Sequence, residues 1–193
     1  MNEQTSAASS QYLSFIIAGE EYALGILQVK EIIEYDTVTR VPGTPAWVRG
    51  VFNLRGSVVP VVDLSVKLGM PPSTLTRWSC IVVVEVKLGQ ERLVLGLLSD
   101  AIGQVIELEP EAVMPPPSFG TPIHVDYLLG MGRLGTGKKF VLLLDIDHVL
   151  SSQEVLSASV LRAPVEAPLA EEVPAAPPEA SEPEAGERPG PPV

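Results

Sequence analysis

Apolar residues along this chain fall in short runs broken by turn-forming residues. The segments YLSFIIA (12–18), EYALGIL (21–27), GSVVPVVDL (56–64), SCIVVVEV (79–86), ERLVLGLL (91–98), AIGQVIEL (101–108) and KFVLLLDI (139–146) have the length and β-branched content of strands. The run from Val58 to Leu64 has almost no polar alternation, the pattern of a strand with little water on either face. The links GE (19–20) and GQ (89–90) predict tight hairpins. No long amphipathic helix pattern occurs, and short turns of helix are expected around 28–33, 45–49, 63–68 and 146–151. This describes an all-β protein of many short strands, hence a barrel or sandwich.

A loose internal repeat sharpens the picture. LGILQVKEIIEYDTVTRVP from Leu24 resembles LGLLSDAIGQVIELEPEAVMP from Leu95, and WVRGVFNLRGSVVPVVDL from Trp47 resembles YLLGMGRLGTGKKFVLLLDI from Tyr127. In the second pair Gly50 falls on Gly130, Leu54 on Leu134 and Asp63 on Asp145. Two similar small barrels built by related halves are expected. The repeat also isolates one residue. Where the first half reads Leu54-Arg55-Gly56, the second reads Leu134-Gly135. The fold does without an arginine there once, so Arg55 calls for a role peculiar to the first half. Two readings stay open: a salt bridge to Glu31 that holds the barrel, or a guanidinium lining a groove where a partner docks.

Composition bounds the rest. Apolar residues make up 46% of the 193, enough for a globular core. A single cysteine, Cys80, excludes an internal disulfide and fits a reducing compartment. The first residues lack a basic and apolar leader, and no apolar run is long enough to span a membrane, so no direct membrane insertion is expected. The net charge of −11 argues against nucleic acid. From Ser151 onward there are eight acids and two bases, in a stretch rich in Pro, Ala and Glu. Residues 1–10 are expected to be a disordered lead, 11–155 the folded domain and 156–193 a disordered acidic tail.

Candidate catalytic motifs are weak. GMGRLG (130–135) matches G-x-G-x-x-G in spacing, but a turn and a strand follow it, not the helix that a dinucleotide site needs. Its glycines are read as tight turns of a small barrel. The lysines at 138–139 lack the loop length and the hydroxyl of a phosphate cradle. His124 and His148 have only Asp126, Asp145 and Asp147 nearby, short of a zinc ligand set. Cys80 reads as a buried thiol, and Asp63 and Asp145 as caps of short helices. Trp47 is read as core and Arg49 as a solvent residue. A small-ligand-binding or enzymatic barrel using residues 130–137 is the alternative from another class.

One longer pattern is specific. EYALGILQVKEII, followed by VTRVPGTPAWVRGVFNLRGSVVPVVDL, resembles the CheW family of bacterial chemotaxis coupling proteins, over about residues 12–155. The family commonly has arginine after its Asp-Leu, where this chain has Ser65. The resemblance implies two five-stranded, SH3-like barrels packed side by side as intertwined subdomains, with short helical turns and no catalysis or cofactor. It implies a cytoplasmic adaptor, recruited to membrane-associated arrays, that joins the regulatory domain of the histidine kinase CheA to the cytoplasmic tips of methyl-accepting chemoreceptors. By motif, Val29, Glu31 and Arg55 fall on receptor-groove positions, with Val105 a weaker candidate. Gly50, Gly96 and Gly130 fall on positions sensitive in the family, assigned to kinase binding or to backbone geometry. A related regulator of a non-flagellar motility pathway would carry the same motifs.

Overall fold

The computed structural model describes residues 10–88, 91–116, 127–135 and 139–149. Within them run β1 (Ser10–Ile17), β2 (Glu20–Gly25), β3 (Val29–Glu34), β4 (Val48–Leu54), β5 (Ser57–Asp63), β6 (Cys80–Leu88), β7 (Glu91–Ser99), β8 (Ala101–Leu108), β9 (Val113–Met114), β10 (Leu128–Leu134) and β11 (Lys139–Leu144). Two single-turn helices, α1 (Leu64–Lys67) and α2 (Ile146–Val149), follow β5 and β11.

The strands form two sheets. One runs β3-β6-β7-β5-β4 and the other β8-β1-β2-β11-β10-β9. The orders correspond strand for strand, with β3 matching β8, β6 matching β1, β7 matching β2, β5 matching β11 and β4 matching β10. The expected pair of five-stranded barrels is present, and the two-residue β9 adds a sixth strand to the second. The halves are exchanged. The β1–β2 hairpin joins the late strands β8, β10 and β11, while the β6–β7 hairpin joins the early strands β3, β4 and β5. The barrels are therefore intertwined through their hairpins.

Register refines the repeat. Gly50 pairs with Val61 as Gly130 pairs with Leu143. Val61 then pairs with Gly96 as Leu143 pairs with Ala23. The counterpart of Leu24 is thus Leu97, and the sequence alignment of Leu24 with Leu95 is two residues out of register. A shared Leu-Gly pair produced that match, whereas sheet pairing follows the alternation of side chains.

The core lies mainly between the barrels. Leu13, Phe15, Ile17, Leu24, Val62, Val82, Val84, Val86, Leu95, Leu97 and Leu144 belong to one buried cluster drawn from both sheets, closed by Leu64 of α1 and Ile146 and Val149 of α2. Each barrel has a smaller interior, around Phe52, Val61, Ile81 and Val83 in the first and Ile106, Leu108, Val141 and Leu143 in the second. This explains the unbroken apolar runs. In β6, Ile81 and Val83 fill one barrel while Val82 and Val84 pack against the other. Each such side chain contributes about 1.5–3 kcal/mol on burial.

Several local expectations change. Residues 29–34 form β3, not a helical turn, with half-buried and exposed positions alternating. β4 begins at Val48, inside the expected 45–49 helix. The first hairpin turns at Ala18 and Gly19, both with positive φ, and Glu20 already lies in β2. Ser10 opens β1, one residue inside the expected lead. The 89–90 link, residues 1–9 and the tail 156–193 lie outside the described residues.

Candidate partner-docking surface

Arg55 occupies the two-residue turn between β4 and β5. Leu54 and Ser57 are the last paired residues, and Arg55 and Gly56 between them have φ of 51° and 92°. Positive φ at both positions makes a type I′ turn, which suits the right-handed twist of the hairpin and favours Asn or Gly at its first position. Asn53 supports the turn, its Oδ1 accepting the Gly56 N–H at 2.7 Å. The arginine gains nothing from the backbone there, since a side chain in the left-handed region costs about 1–2 kcal/mol.

Its guanidinium reaches β3. Arg55 Nη2 lies 2.8 Å from Glu31 Oε2. The arginine side chain is 81% exposed and the glutamate 25%. An ion pair so open to water contributes about 0–1 kcal/mol. Glu31 thus aims the fork across the surface, and the pair adds little to the fold. The expectation of a bridge to Glu31 is met in geometry but not as a clamp on the barrel.

β3 and β8 are the matching edge strands of the two sheets. Val29 opposite Val84 corresponds to Ile102 opposite Phe15, and both Val29 and Ile102 pack on the inter-barrel core. Val105 is the counterpart of Ile32, opposite Leu13 as Ile32 is opposite Val82. Both are exposed, Val105 at 54% and Ile32 at 44%. The structure joins Glu31 and Arg55 directly, sets Val29 on the same strand and puts Val105 on the equivalent strand of the other sheet. In the sequence Ile32 reads only as part of a half-buried edge, because its neighbour Ile33, in the first barrel's interior, shares its type. The alternation along 29–34 was the available signal.

The three glycines are buried. A Cβ on Gly50 would strike the carbonyl of Thr39, which bridges to Val51, and one on Gly130 the Met114 carbonyl of β9, where neighbouring backbone passes close. A Cβ on Gly96 would sit 2.5 Å from Ile81 and 3.1 Å from Phe52. None presents a surface, so substitution acts on the barrels themselves.

GMGRLG is a strand, not a set of turns. Gly130 and Gly132 lie within β10 and only Gly135, with φ of 51°, is at its end. Gly132 leaves room for Leu108, whose Cδ1 would be 2.5 Å from an added Cβ. Sheet pairing already takes up the backbone that a phosphate loop would have to offer. Residues 136–138 lie outside the described residues.

The remaining candidates have structural partners. Asp63 is 1% exposed and caps α1, accepting the Val66 N–H at 3.4 Å, and it also accepts the Ser73 N–H and hydroxyl. Arg49, expected in solvent, is 21% exposed and 3.7 Å from that carboxylate. Trp47 packs on the inter-barrel core as expected, and its carbonyl accepts the Asp63 N–H. The Asp145 N–H donates likewise to Tyr127. Asp145 pairs with His148 at 2.7 Å. Ser65 is buried, 3.0 Å from the Ser73 hydroxyl, so it offers partners nothing. Burial raises the Cys80 thiol above its ordinary range, which keeps it unreactive. Among the described residues no three His, Cys, Asp or Glu side chains converge as a metal site. His124 and Asp126 lie outside them. No helix among them is long and apolar enough to cross a membrane.

The CheW-like domain family matches residues 11–154. The chemotaxis protein CheW of Klebsiella aerogenes is 37% identical over 145 residues, covering 75% of this chain and 84% of that protein. The probable chemotaxis protein CheW of Rhizobium etli is 31% identical over 144 residues, covering 75% and 89%. The crystal structure of the scaffolding protein TtCheW from Thermoanaerobacter tengcongensis superposes with a TM-score of 0.66 at 27% identity, covering 80% of this chain and 96% of that one.

Proposed function

The chain belongs to the CheW family, and from that premise we propose that it is a non-catalytic adaptor that couples chemoreceptor tips to the histidine kinase CheA in chemosensory arrays. Its place is the cytoplasm, at the membrane-associated array. The receptor meets the β3 edge, with Val29 and Ile32 as apolar contacts and Glu31 orienting Arg55. Val105 extends this surface onto β8. The observation that carries the reading is Arg55 itself. It is an exposed cation in a backbone conformation better suited to glycine, aimed by a glutamate and adding little to stability. An exposed fork of five donors suits the carbonyls and carboxylates of a helical hairpin.

The kinase regulatory domain engages a barrel end. Gly50, Gly96 and Gly130 influence that contact indirectly, because each is buried where a side chain would displace a strand or a core residue.

The test uses Arg55→Ala. Receptor affinity should fall about tenfold to a hundredfold, the worth of hydrogen bonds to a charged group. Kinase-domain affinity and melting temperature should hold. A destabilised protein with parallel losses for both partners would refute the groove assignment. Arg55→Lys keeps the charge without the fork and should remain impaired.

A further inference from the structure

Charge is unevenly placed on the first barrel. Residues 37–79 hold five bases, Arg40, Arg49, Arg55, Lys67 and Arg77, against one acid, Asp63. Asp63 is buried among its own hydrogen-bond donors, and Arg55 reaches Glu31. Arg49 lies 3.7 Å from the Asp63 carboxylate, while Arg40 and Arg77 are exposed. Arg40 and the Arg49–Asp63 pair line an open cleft of about 520 Å³, walled by Pro42, Pro45, Val66 and Pro72. Arg40 is exposed and has no ion pair among the described residues. Lys67 follows Val66 on α1 and stands 5.0 Å over the Trp47 ring. Beyond Pro72, Arg77 stacks 4.7 Å from Trp78, which is 64% exposed. A proline-walled cleft with the exposed cation Arg40 on its rim, and an exposed Arg77–Trp78 stack on the same barrel, suit an acidic, proline-rich segment, since polyproline stretches pack on aromatic and prolyl surfaces with little ordering cost.

Such a segment lies on the same chain. Residues 163–193 carry seven glutamates, one base and nine prolines. The stretch from 155 to 163 extends to about 25 Å at about 3.1 Å per residue. The segment itself extends several times further, against a domain whose radius of gyration is about 14 Å, so it can reach the first barrel. Tethering sets an effective concentration of about millimolar.

We propose that the acidic segment 163–193 docks on its own chain, its glutamates on Arg40 and Arg77 and its prolines in the cleft that Arg40 borders. Docked, it withholds this side of the first barrel from other acidic partners until one displaces it. This docking is independent of the receptor and kinase assignments above.

The full chain tests it. A spin label on Ala176→Cys should broaden the backbone amide signals of Arg40, Arg49 and Arg77 more than those of Met131 and Phe140 on the second barrel. Cys80 is buried and escapes labelling. The contrast should be present at about 0.01 M salt and gone at about 1 M, as the screening length shrinks from about 30 to 3 Å. It should also vanish in the Arg40→Glu/Arg77→Glu chain, whose changes are at exposed positions. A mixture of labelled chains without ¹⁵N and unlabelled ¹⁵N chains decides the source of the tail. Broadening confined to single chains supports docking in cis. Equal broadening in the mixture means the occupant is a second copy and overturns the proposal. Uniform broadening over both barrels, or a contrast unmoved by salt and charge reversal, overturns it as well.

Discussion

The β4–β5 and β10–β11 hairpins occupy matching places in the two barrels, and their turns open alike. Arg55 and Gly135 share the same φ of 51°. One barrel meets the left-handed conformation with glycine, and the other holds an exposed arginine in it. A residue retained against backbone preference, in only one of two equivalent turns, points outside the fold. The interiors teach the converse. Phe52 on β4 corresponds to Gly132 on β10 by register, and the volumes are rebalanced. Phe52 presses toward the small Gly96, whereas Leu108 fills the space above Gly132. There the difference between the barrels is compensated within each core, so no partner need be invoked.

The largest effect should come from undoing that balance on one side. Phe52→Ala empties the first barrel and should cost about 3–5 kcal/mol, read as a lowered denaturation midpoint in urea with an unchanged slope. Because the main core is shared between sheets, both barrels should unfold together. Separate transitions would contradict the intertwined architecture.

Next come the closing glycines. Gly50→Ala and Gly130→Ala should each cost about 1–3 kcal/mol, the range for overpacking, and by similar amounts, since each Cβ meets a neighbouring backbone carbonyl. A large loss in one and none in the other would break the equivalence of the barrels.

The capping aspartates should differ in degree. Asp63 is buried with Ser73 and Arg49 around it, while Asp145 is 22% exposed. Thermal melts of Asp63→Ala should reveal a loss of about 1–2 kcal/mol, toward the upper part of the capping range, and Asp145→Ala about half of that.

A smaller, pH-dependent effect belongs to the first barrel's edge. Hydrogen bonding from Lys30, with the nearby charges of Lys30 and Arg92, holds the Glu85 carboxyl below its ordinary range despite slight desolvation. A carboxyl lowered in the folded state stabilises it fully above its ordinary pKa, and the contribution fades as pH falls through the lowered value. Glu85→Gln should therefore flatten the acid limb of a plot of melting temperature against pH by lowering the neutral plateau slightly and leaving the acid end unchanged. An unaltered acid limb would show that Glu85 plays no part in acid stability.

Much of the fold is legible in the sequence alone. The strand content, the doubled half-repeat and Asp63 as a helix cap follow from alternation, spacing and turn chemistry. The exchange of hairpins is not readable from the repeat, which aligns segments without saying which sheet each joins; intertwined barrels are expected only from the family resemblance. β4 and β10 escape notice as strands because each carries glycine, and glycine reads as a turn until a crossing carbonyl explains it. Arg49 reads as a solvent residue because its partner, Asp63, is fourteen residues away and meets it only across paired strands. Glu31 is the expected partner of Arg55, but only side-chain exposure distinguishes a surface pair from a buried clamp.

Whether Arg55 serves a partner or the barrel is decided most sharply by Arg55→Gly, which makes the first turn resemble the second. The backbone gain of about 1 kcal/mol from glycine at positive φ should offset the loss of an exposed ion pair. Melting temperature should then stay level or rise, while affinity for a receptor signalling hairpin falls about tenfold to a hundredfold and affinity for the kinase regulatory domain holds. A clear drop in melting temperature would return Arg55 to the barrel, and undiminished receptor binding would refute its role in docking.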